Sequence, residues 1–444
     1  MKISAHNLYF LGLIGLILFL NIVGKLIPFN HEPLFLVLFV YGLFIVFRNK
    51  KSPIDYRIVI WGGLLFFYWL VTVIILNMHG ELGDRSYSHL NITHSFIAFF
   101  AISMAVYYLK PKIDFFWYLI GVAALASAVL FVFEVQAIGW DRFLSGVRLG
   151  SAYLHPTKMG VFANTVFIIM LGSLPWAYHK HRVFFVLWIA LLVMVFLTVV
   201  FSQTRQAWVG WPEAILAWGV YYFLLFKELH KIKAFKVLVA GVGAGVVFFV
   251  LIFNSPVTDV FEKRVSQTYT SINQYLNNEN FQTSIGYRFL GYEAAVNGIS
   301  ENFWTGIGEE KFREFQTAET AKIASVKFGM NNYSGIDYRH IHNQYLMSFL
   351  TKGVFGFLSM VLLLVFLYWF FISGLKKSSV ENKPIWIAGL VFTIAETLIF
   401  IPDSPFIRSD TAAHFLVFSN LLIAFAVLTE YKSEAESKSE EGRE

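Results

Sequence analysis

Apolar residues run through this chain in blocks of roughly twenty, each closed by a short polar or basic connection. A block of that length wound as a helix rises about 30 Å, the thickness of a bilayer's hydrocarbon core. Twelve segments fit: 8–28, 33–47, 58–76, 95–109, 114–137, 161–178, 183–201, 209–226, 234–253, 346–373, 385–401 and 414–429. The pattern predicts an all-α polytopic membrane protein. The first block, Leu8 to Phe29, follows a single lysine and has no small-residue cleavage pattern, so it is expected to stay as a span and not to be removed as a signal peptide.

The connections carry the orientation. One set holds Arg48, Lys50, Lys51 and Arg57, then Lys110 and Lys112, then Lys180 and Arg182, then Lys227, Lys231, Lys233 and Lys236, and finally Lys376, Lys377 and Lys383. The alternate set has few bases for its length and mixes them with Asp, Glu and His. Short basic loops stay in the cytoplasm, so both termini are expected there. The one long connection, 254–345, is then placed on the periplasmic side of a bacterial inner membrane. The organisation expected is spans one to nine over 1–253, a large partly helical loop over 254–345 and spans ten to twelve over 346–430. The Lys/Glu/Ser-rich tail 431–444 is expected to be disordered in the cytoplasm. Within the loop, Ile285, Phe289, Tyr292, Val296 and Ile299 recur at four- and three-residue steps, which predicts a helix with that face apolar. Thr283 and Ser284 are its candidate N-caps. The Asn-rich stretch Asn273, Asn277, Asn278, Asn280 reads as a break before it.

Composition narrows the function classes. With 57% hydrophobic and 14% charged residues, the chain falls far from a soluble domain. A cysteine count of 0 excludes disulfides and thiolate metal sites. The net charge of +6 is scattered between spans and forms no stripe, so no nucleic-acid partner is expected.

Candidate chemistry gathers on the outer side. Arg205 lies in Ser202-Gln203-Thr204-Arg205-Gln206 at the start of a span, and Arg288 lies on the loop helix. His340 and His342, flanked by Arg339 and Asn343, lie where the long loop re-enters the membrane. Arg148 precedes His155-Pro156. Each has a plain structural reading, since interfacial arginines snorkel and interfacial histidines often only face water. The His340/His342 spacing puts the rings on opposite sides of a helix or one face of a strand. No outer carboxylate cluster accompanies them in sequence, so no metal is expected. Together the set says more. Guanidinium forks suit phosphate oxygens, the backbone N–H groups at a helix start face an anion, and a neutral imidazole can take a proton from an attacking hydroxyl. The chain has no Asp-x-Asp motif, in keeping with a reaction that needs no cofactor.

At these residues the sequence resembles the O-antigen ligase and O-antigen polymerase superfamily. Ser202-Gln203-Thr204-Arg205-Gln206-Ala207 is similar to the family's Ser-x-(Ser/Thr)-Arg-x-(Ala/Gly) segment. Arg288, then Ala295 and Phe303-Trp304-Thr305-Gly306-Ile307-Gly308, resembles its loop helix and Gly-hydrophobic-Gly turn. His342-Asn343, nine residues, then Gly353-Val354-Phe355-Gly356 resembles the ligase pattern of His-Asn and Gly-x-x-Gly. Arg148-Leu149-Gly150 with His155-Pro156 looks like the segment before the sixth span, although the family more often has Pro-Asn where this chain has Pro156-Thr157. The resemblance implies a membrane glycosyltransferase that takes a glycan from undecaprenyl pyrophosphate and joins it to a sugar hydroxyl of lipid A–core. It implies Arg205 and Arg288 on the pyrophosphate, His342 as base, and Arg148, Arg339, His340 and Asn343 around the substrates. A polymerase or a protein O-oligosaccharyltransferase of the same superfamily is the alternative. A secondary transporter fits less well: the ionisable residues within apolar blocks (Lys25, Glu134, Glu213, Lys352, Glu396) are few and mostly near predicted ends.

Overall fold

The computed structural model describes residues 5–23, 32–49, 53–81, 87–150, 152–208, 210–229 and 256–441, and among these there are helices and no strands. In chain order they are α1 (Ala5–Val23), α2 (Glu32–Asn49), α3 (Tyr56–Met78), α4 (Tyr87–Leu109), α5 (Ile113–Ile138), α6 (Trp140–Leu144), α7 (Pro156–Met170), α8 (Leu174–Lys180), α9 (Arg182–Phe201), α10 (Arg205–Trp208) and α11 (Trp211–Leu229). The second half adds α12 (Pro256–Leu276), α13 (Gly286–Glu301), α14 (Phe312–Phe328), α15 (Gln344–Lys377), α16 (Lys383–Ile399) and α17 (Ser409–Glu441). Six stretches of the described residues are long and apolar enough to cross a membrane: α3, α5, α7 with α8, α9, α15 and Ser409–Glu430 of α17. The expected segment 234–253 lies outside the described residues. Where described, the other expected segments coincide with helices, 161–178 running across α7 and α8 and 8–28 continuing past α1 beyond the described residues. The chain is a multi-pass, all-helical membrane protein.

Helices in a membrane associate through close packing, because lipid is as apolar as leucine. The pair α15 and α16 shows how this sequence does it. A Cβ on Gly374 would meet the Trp386 ring at 2.1 Å, and one on Gly389 would meet the Phe371 ring at 2.0 Å. Each helix thus offers the other a notch filled by an aromatic ring. At the bundle's centre α17 is buried through nearly its whole apolar length. Its Asn420 accepts a hydrogen bond from the buried Trp61 indole at 3.0 Å. The helical backbone of α17 continues to Glu441, past the point where composition predicts order to end. Ala, Glu and Lys are strong helix formers and extend a helix already begun.

The long connection folds into three helices. α12 ends at Leu276, and the Asn277–Asn280 turn follows, with Asn278 in the left-handed region at φ 60°. That break matches the Asn-rich signal. Thr283 Oγ1 accepts the Gly286 N–H at 3.0 Å, so one of the two candidate caps does bind the helix start. α13 forms where the spacing predicts a helix, and Phe289, Tyr292 and Ile299 of the expected apolar face pack partly buried against the apolar clusters of the loop unit. Its buried residues are Gly286, Leu290, Gly291, Ala294, Ala295 and Gly298, while Val296 is 55% exposed. Small residues let α14 and α15 approach closely: Cβ atoms on Gly298 would strike Phe315 and Leu350.

This loop unit is clamped to the bundle where α15 breaks. Gly353 has φ 63° and ψ −167°, a conformation closed to other residues. The break frees backbone groups that the 303–308 turn takes up: Ile307 N–H donates to Leu350 O (2.8 Å), Gly308 N–H donates to Thr351 O (3.1 Å), and Phe303 O accepts the Val354 N–H (2.9 Å). Beneath it the buried Lys352 ammonium meets Glu309 at 3.2 Å. Glu81, after α3, accepts the N–H groups of Glu309 (2.9 Å) and Glu310 (3.1 Å).

The charge asymmetry yields one direct test of sidedness. A cysteine at exposed Glu279 is expected to react with a membrane-impermeant thiol reagent in cells with a permeabilised outer membrane, and one at exposed Ser379 is expected to stay unlabelled. The opposite labelling pattern would reverse the orientation and move the candidate site to the cytoplasm.

Candidate functional site

His342 is the residue around which the site is built. It precedes α15, whose N-cap Asn343 accepts the Leu346 N–H at 2.9 Å. Its own backbone is left-handed at φ 59°, a conformation rare for residues other than Gly, Asn and Asp. Neighbours on all sides enforce it. Tyr292 from α13 donates to His342 O (2.8 Å), Asn343 N–H to Ser404 Oγ (3.1 Å), and Gln344 N–H to Phe400 O (2.8 Å); Phe406 N–H donates to Gln344 Oε1 (2.8 Å). A strained backbone so fully over-determined marks a side chain whose direction matters.

The imidazole faces His340, with ring centroids 4.1 Å apart, and Tyr338 at 5.7 Å. His340 Nδ1 accepts the His342 N–H at 3.3 Å, so this nitrogen carries no proton. Asp403 completes the group: its Oδ1 lies 4.0 Å from His342 Nδ1, and its Oδ2 takes Arg408 Nη2 at 3.0 Å. Both histidines are held below the ordinary imidazole range. For His342 the causes are burial, then His340 and Arg288, with Asp403 opposing and Arg408 adding to the depression. For His340 burial leads again, Asp403 opposes, and Arg408 and Arg288 add. The pair is therefore neutral at physiological pH and able to accept a proton. Arg288, one turn into α13, sits in the same field, and it also acts on Tyr292 and Tyr338.

No carboxylate cluster accompanies the histidine pair in sequence, but the fold brings one distant carboxylate, Asp403, to it. Donor atoms of His340, His342 and Asp403 lie within 4.8 Å of one another, a spacing a cation could use. The surrounding charge opposes that use, because Arg408 already pairs with the carboxylate and Arg288 acts on both rings.

Arg205 begins α10, and the turn before it is tied down from two directions. Arg148 Nε donates to Ser202 O at 2.7 Å and its Nη2 to Thr204 Oγ1 at 3.3 Å, while Gln206 Nε2 donates to Pro402 O at 2.7 Å, next to Asp403. Arg148 is thus a strut for the Arg205 turn. The loop bearing Arg148 is itself hung on Glu134 of α5, whose carboxylate accepts the N–H groups of Gly150 (3.1 Å), Ala152 (3.3 Å), Tyr153 (2.8 Å) and Leu154 (3.2 Å). His155 follows, held below its usual range by burial, then by Arg148, Arg408 and Lys158. Arg339 is the candidate that the structure leaves apart. It is exposed and acts on Asp337, which pairs with Arg313.

Sequence reasoning missed Asp403, Arg408 and Lys158. They lie in the connection before α17 and in the first turn of α7, with Lys158 paired to Asp410. The only available signal was the acid–base pair Asp403/Arg408 in a short turn between two apolar blocks.

The sequence model of the O-antigen ligase family matches residues 189–361, from α9 through the break in α15. That span holds Arg205, Arg288, His340 and His342, but not Arg148, Asp403 or Arg408. A Haemophilus influenzae protein described only as uncharacterised is 24% identical over 405 residues, which is 90% of this chain and 94% of that protein. The O-antigen ligase of Escherichia coli (strain K12) is 21% identical over 376 residues, 84% of this chain and 82% of that protein.

Proposed function

Since this chain belongs to the O-antigen ligase superfamily and is a membrane glycosyltransferase-type enzyme, we propose that it transfers a glycan from undecaprenyl pyrophosphate to a sugar hydroxyl of lipid A–core at the periplasmic face. The observation that carries the reading is the seat of His342: a neutral imidazole, locked in direction by a left-handed backbone, beside Asp403 and in the field of Arg288. The acceptor hydroxyl oxygen attacks the anomeric carbon of the donor sugar while His342 takes its proton. The bond from that carbon to the pyrophosphate oxygen breaks, and the lipid pyrophosphate leaves with the electron pair. Arg288 and Arg205 hold the phosphates and offset the charge that grows on them. Tyr292 and Asn343 fix the base, and Arg148 fixes the turn that presents Arg205.

Two arginines supply positive charge that a metal would otherwise bring, so purified enzyme with lipid-linked donor and core acceptor is expected to keep its activity in excess chelator. Loss in chelator with recovery on adding magnesium or manganese would instead put a cation at His340, His342 and Asp403. The acceptor is read by deleting the gene and running lipopolysaccharide on a gel. Uncapped core with intact lipid-linked polymer supports the ligase. Core bearing a single repeat would make the enzyme a polymerase.

A further inference from the structure

Asp403 has two suitors. One oxygen pairs with Arg408 at 3.0 Å; the other lies 4.0 Å from His342 Nδ1, too far for a hydrogen bond, and takes the Ser404 N–H at 2.9 Å instead. Arg408 is only partly engaged. Its Nε is buried and has no hydrogen-bond partner among the described residues. The guanidinium lines a small cavity with Asp403, Lys158, Thr157 and Thr411, which Glu396 and His414 also line, and Lys158 is paired there with Asp410. Its charge reaches His155, His340 and His342 alike. A planar fork with one edge unused, beside an ammonium, is the geometry that phosphate oxygens complete.

We propose that Arg408 is a further donor-phosphate residue, and that when a phosphate engages it Asp403 is released to His342, so that the base is completed only with the donor in place. This rests on the reading of His342 as the base. Arg408 holds Asp403 and adds its own positive field to that of Arg288 at His342. A pyrophosphate on Arg408 neutralises that field and competes for the fork. The freed carboxylate can then close the gap to His342 Nδ1, orienting the ring and stabilising its protonated form. The charged and titratable groups facing His342 are His340 and Tyr338 on its own segment, Arg288 and Tyr292 from α13, and Asp403 and Arg408 from the connection before α17. Arg408 pairs directly with Asp403, so an anion on Arg408 can act on the carboxylate as well as on the field.

The test uses the full chain in nanodiscs with ¹⁵N-labelled histidine, His342 being assigned by its loss in His342→Asn, and inorganic pyrophosphate as the probe. Pyrophosphate is expected to raise the pH at which His342 takes its proton by about one unit or more, the shift typical of a newly placed opposite charge. In Arg408→Gln the starting value is expected to be higher, since a cation is gone, and pyrophosphate is expected to move it much less. In Asp403→Asn, which keeps an acceptor for Arg408, pyrophosphate is expected still to bind, with most of the rise lost. An unmoved His342 in the parent protein under saturating pyrophosphate overturns the proposal, as does an equal rise in either variant. The readout needs no turnover. Failure here with transfer still dependent on His342 would remove the coupling and leave the glycosyltransferase reading standing; full transfer by His342→Asn would remove the base assignment itself.

Discussion

His342→Asn is expected to lower glycan transfer by about 10² to 10⁴, the usual contribution of a general base, while insertion and thermal stability stay near the parent's. Asparagine is the informative replacement because it tolerates the left-handed backbone that His342 adopts at φ 59°. Alanine there would mix a chemical loss with backbone strain. The Tyr292, Ser404 and Phe400 contacts to the segment run through backbone atoms and survive the change. Transfer should be measured with purified enzyme, lipid-linked donor and core acceptor. The acid side of the kcat/KM profile gives a second check. Burial, His340 and Arg288 hold His342 low, so its neutral, proton-accepting form persists as pH falls. Activity of the parent is therefore expected to decline only well below the ordinary imidazole value of about 6.5. A decline centred at or above that value, or near-parent transfer by His342→Asn, would mean that another group takes the proton.

The second large effect is structural. Lys352→Met is expected to destabilise the protein by about 3–5 kcal/mol, the range for breaking one partner out of a buried ion pair. Lys352 and Glu309 are 9% and 7% exposed and stand 3.2 Å apart, with the Tyr68 hydroxyl 3.5 Å from the same ammonium. Methionine matches the stem's volume, so the loss isolates the charge. Adding Glu309→Gln to Lys352→Met should recover a good part of it, because the orphaned carboxylate is then gone. Thermal unfolding in detergent reads both. A single variant as stable as the parent would show that the pair contributes nothing, and a double variant no better than the single would show that Glu309 does not need its partner. Because the pair underlies the 303–308 turn, transfer is expected to fall with stability in the single variant and return with it in the double.

Much of the helical framework was legible in the sequence, since a twenty-residue apolar block has few alternatives to a spanning helix. Finer detail was not. On α13 Phe289 packs partly buried as its spacing suggests, but Val296 is exposed and the fully buried positions include Gly291, Ala294, Ala295 and Gly298. Close helix contact selects small residues, and those carry little hydropathy signal. Arg288, His340 and His342 were visible because each has a functional residue type next to a recognisable turn. Arg148 was visible too, but its bonds to Ser202 and Thr204 could not be read without the fold. Asp403 and Arg408 were hidden for another reason. They pair with each other locally, but the histidine that the pair faces lies far back in the chain, and no local spacing announces that contact.

That distance bears on how the protein is made. Asn343 rests on Ser404, which is 61 residues further along the chain, and Phe406 grips Gln344 from 62 residues away. The ribosome therefore completes the whole loop unit, with Arg288 and both histidines in it, before the carboxylate that faces them exists. Until α16 and the 400–408 segment have been made, these contacts to the His342 segment are missing. Competence arrives with the final stretch of synthesis, and a nascent chain arrested at Lys383 is expected to expose His342 to ethoxycarbonylation by diethyl pyrocarbonate that the finished protein resists. Equal modification of the arrested and finished chains would show that the loop unit positions its histidine unaided.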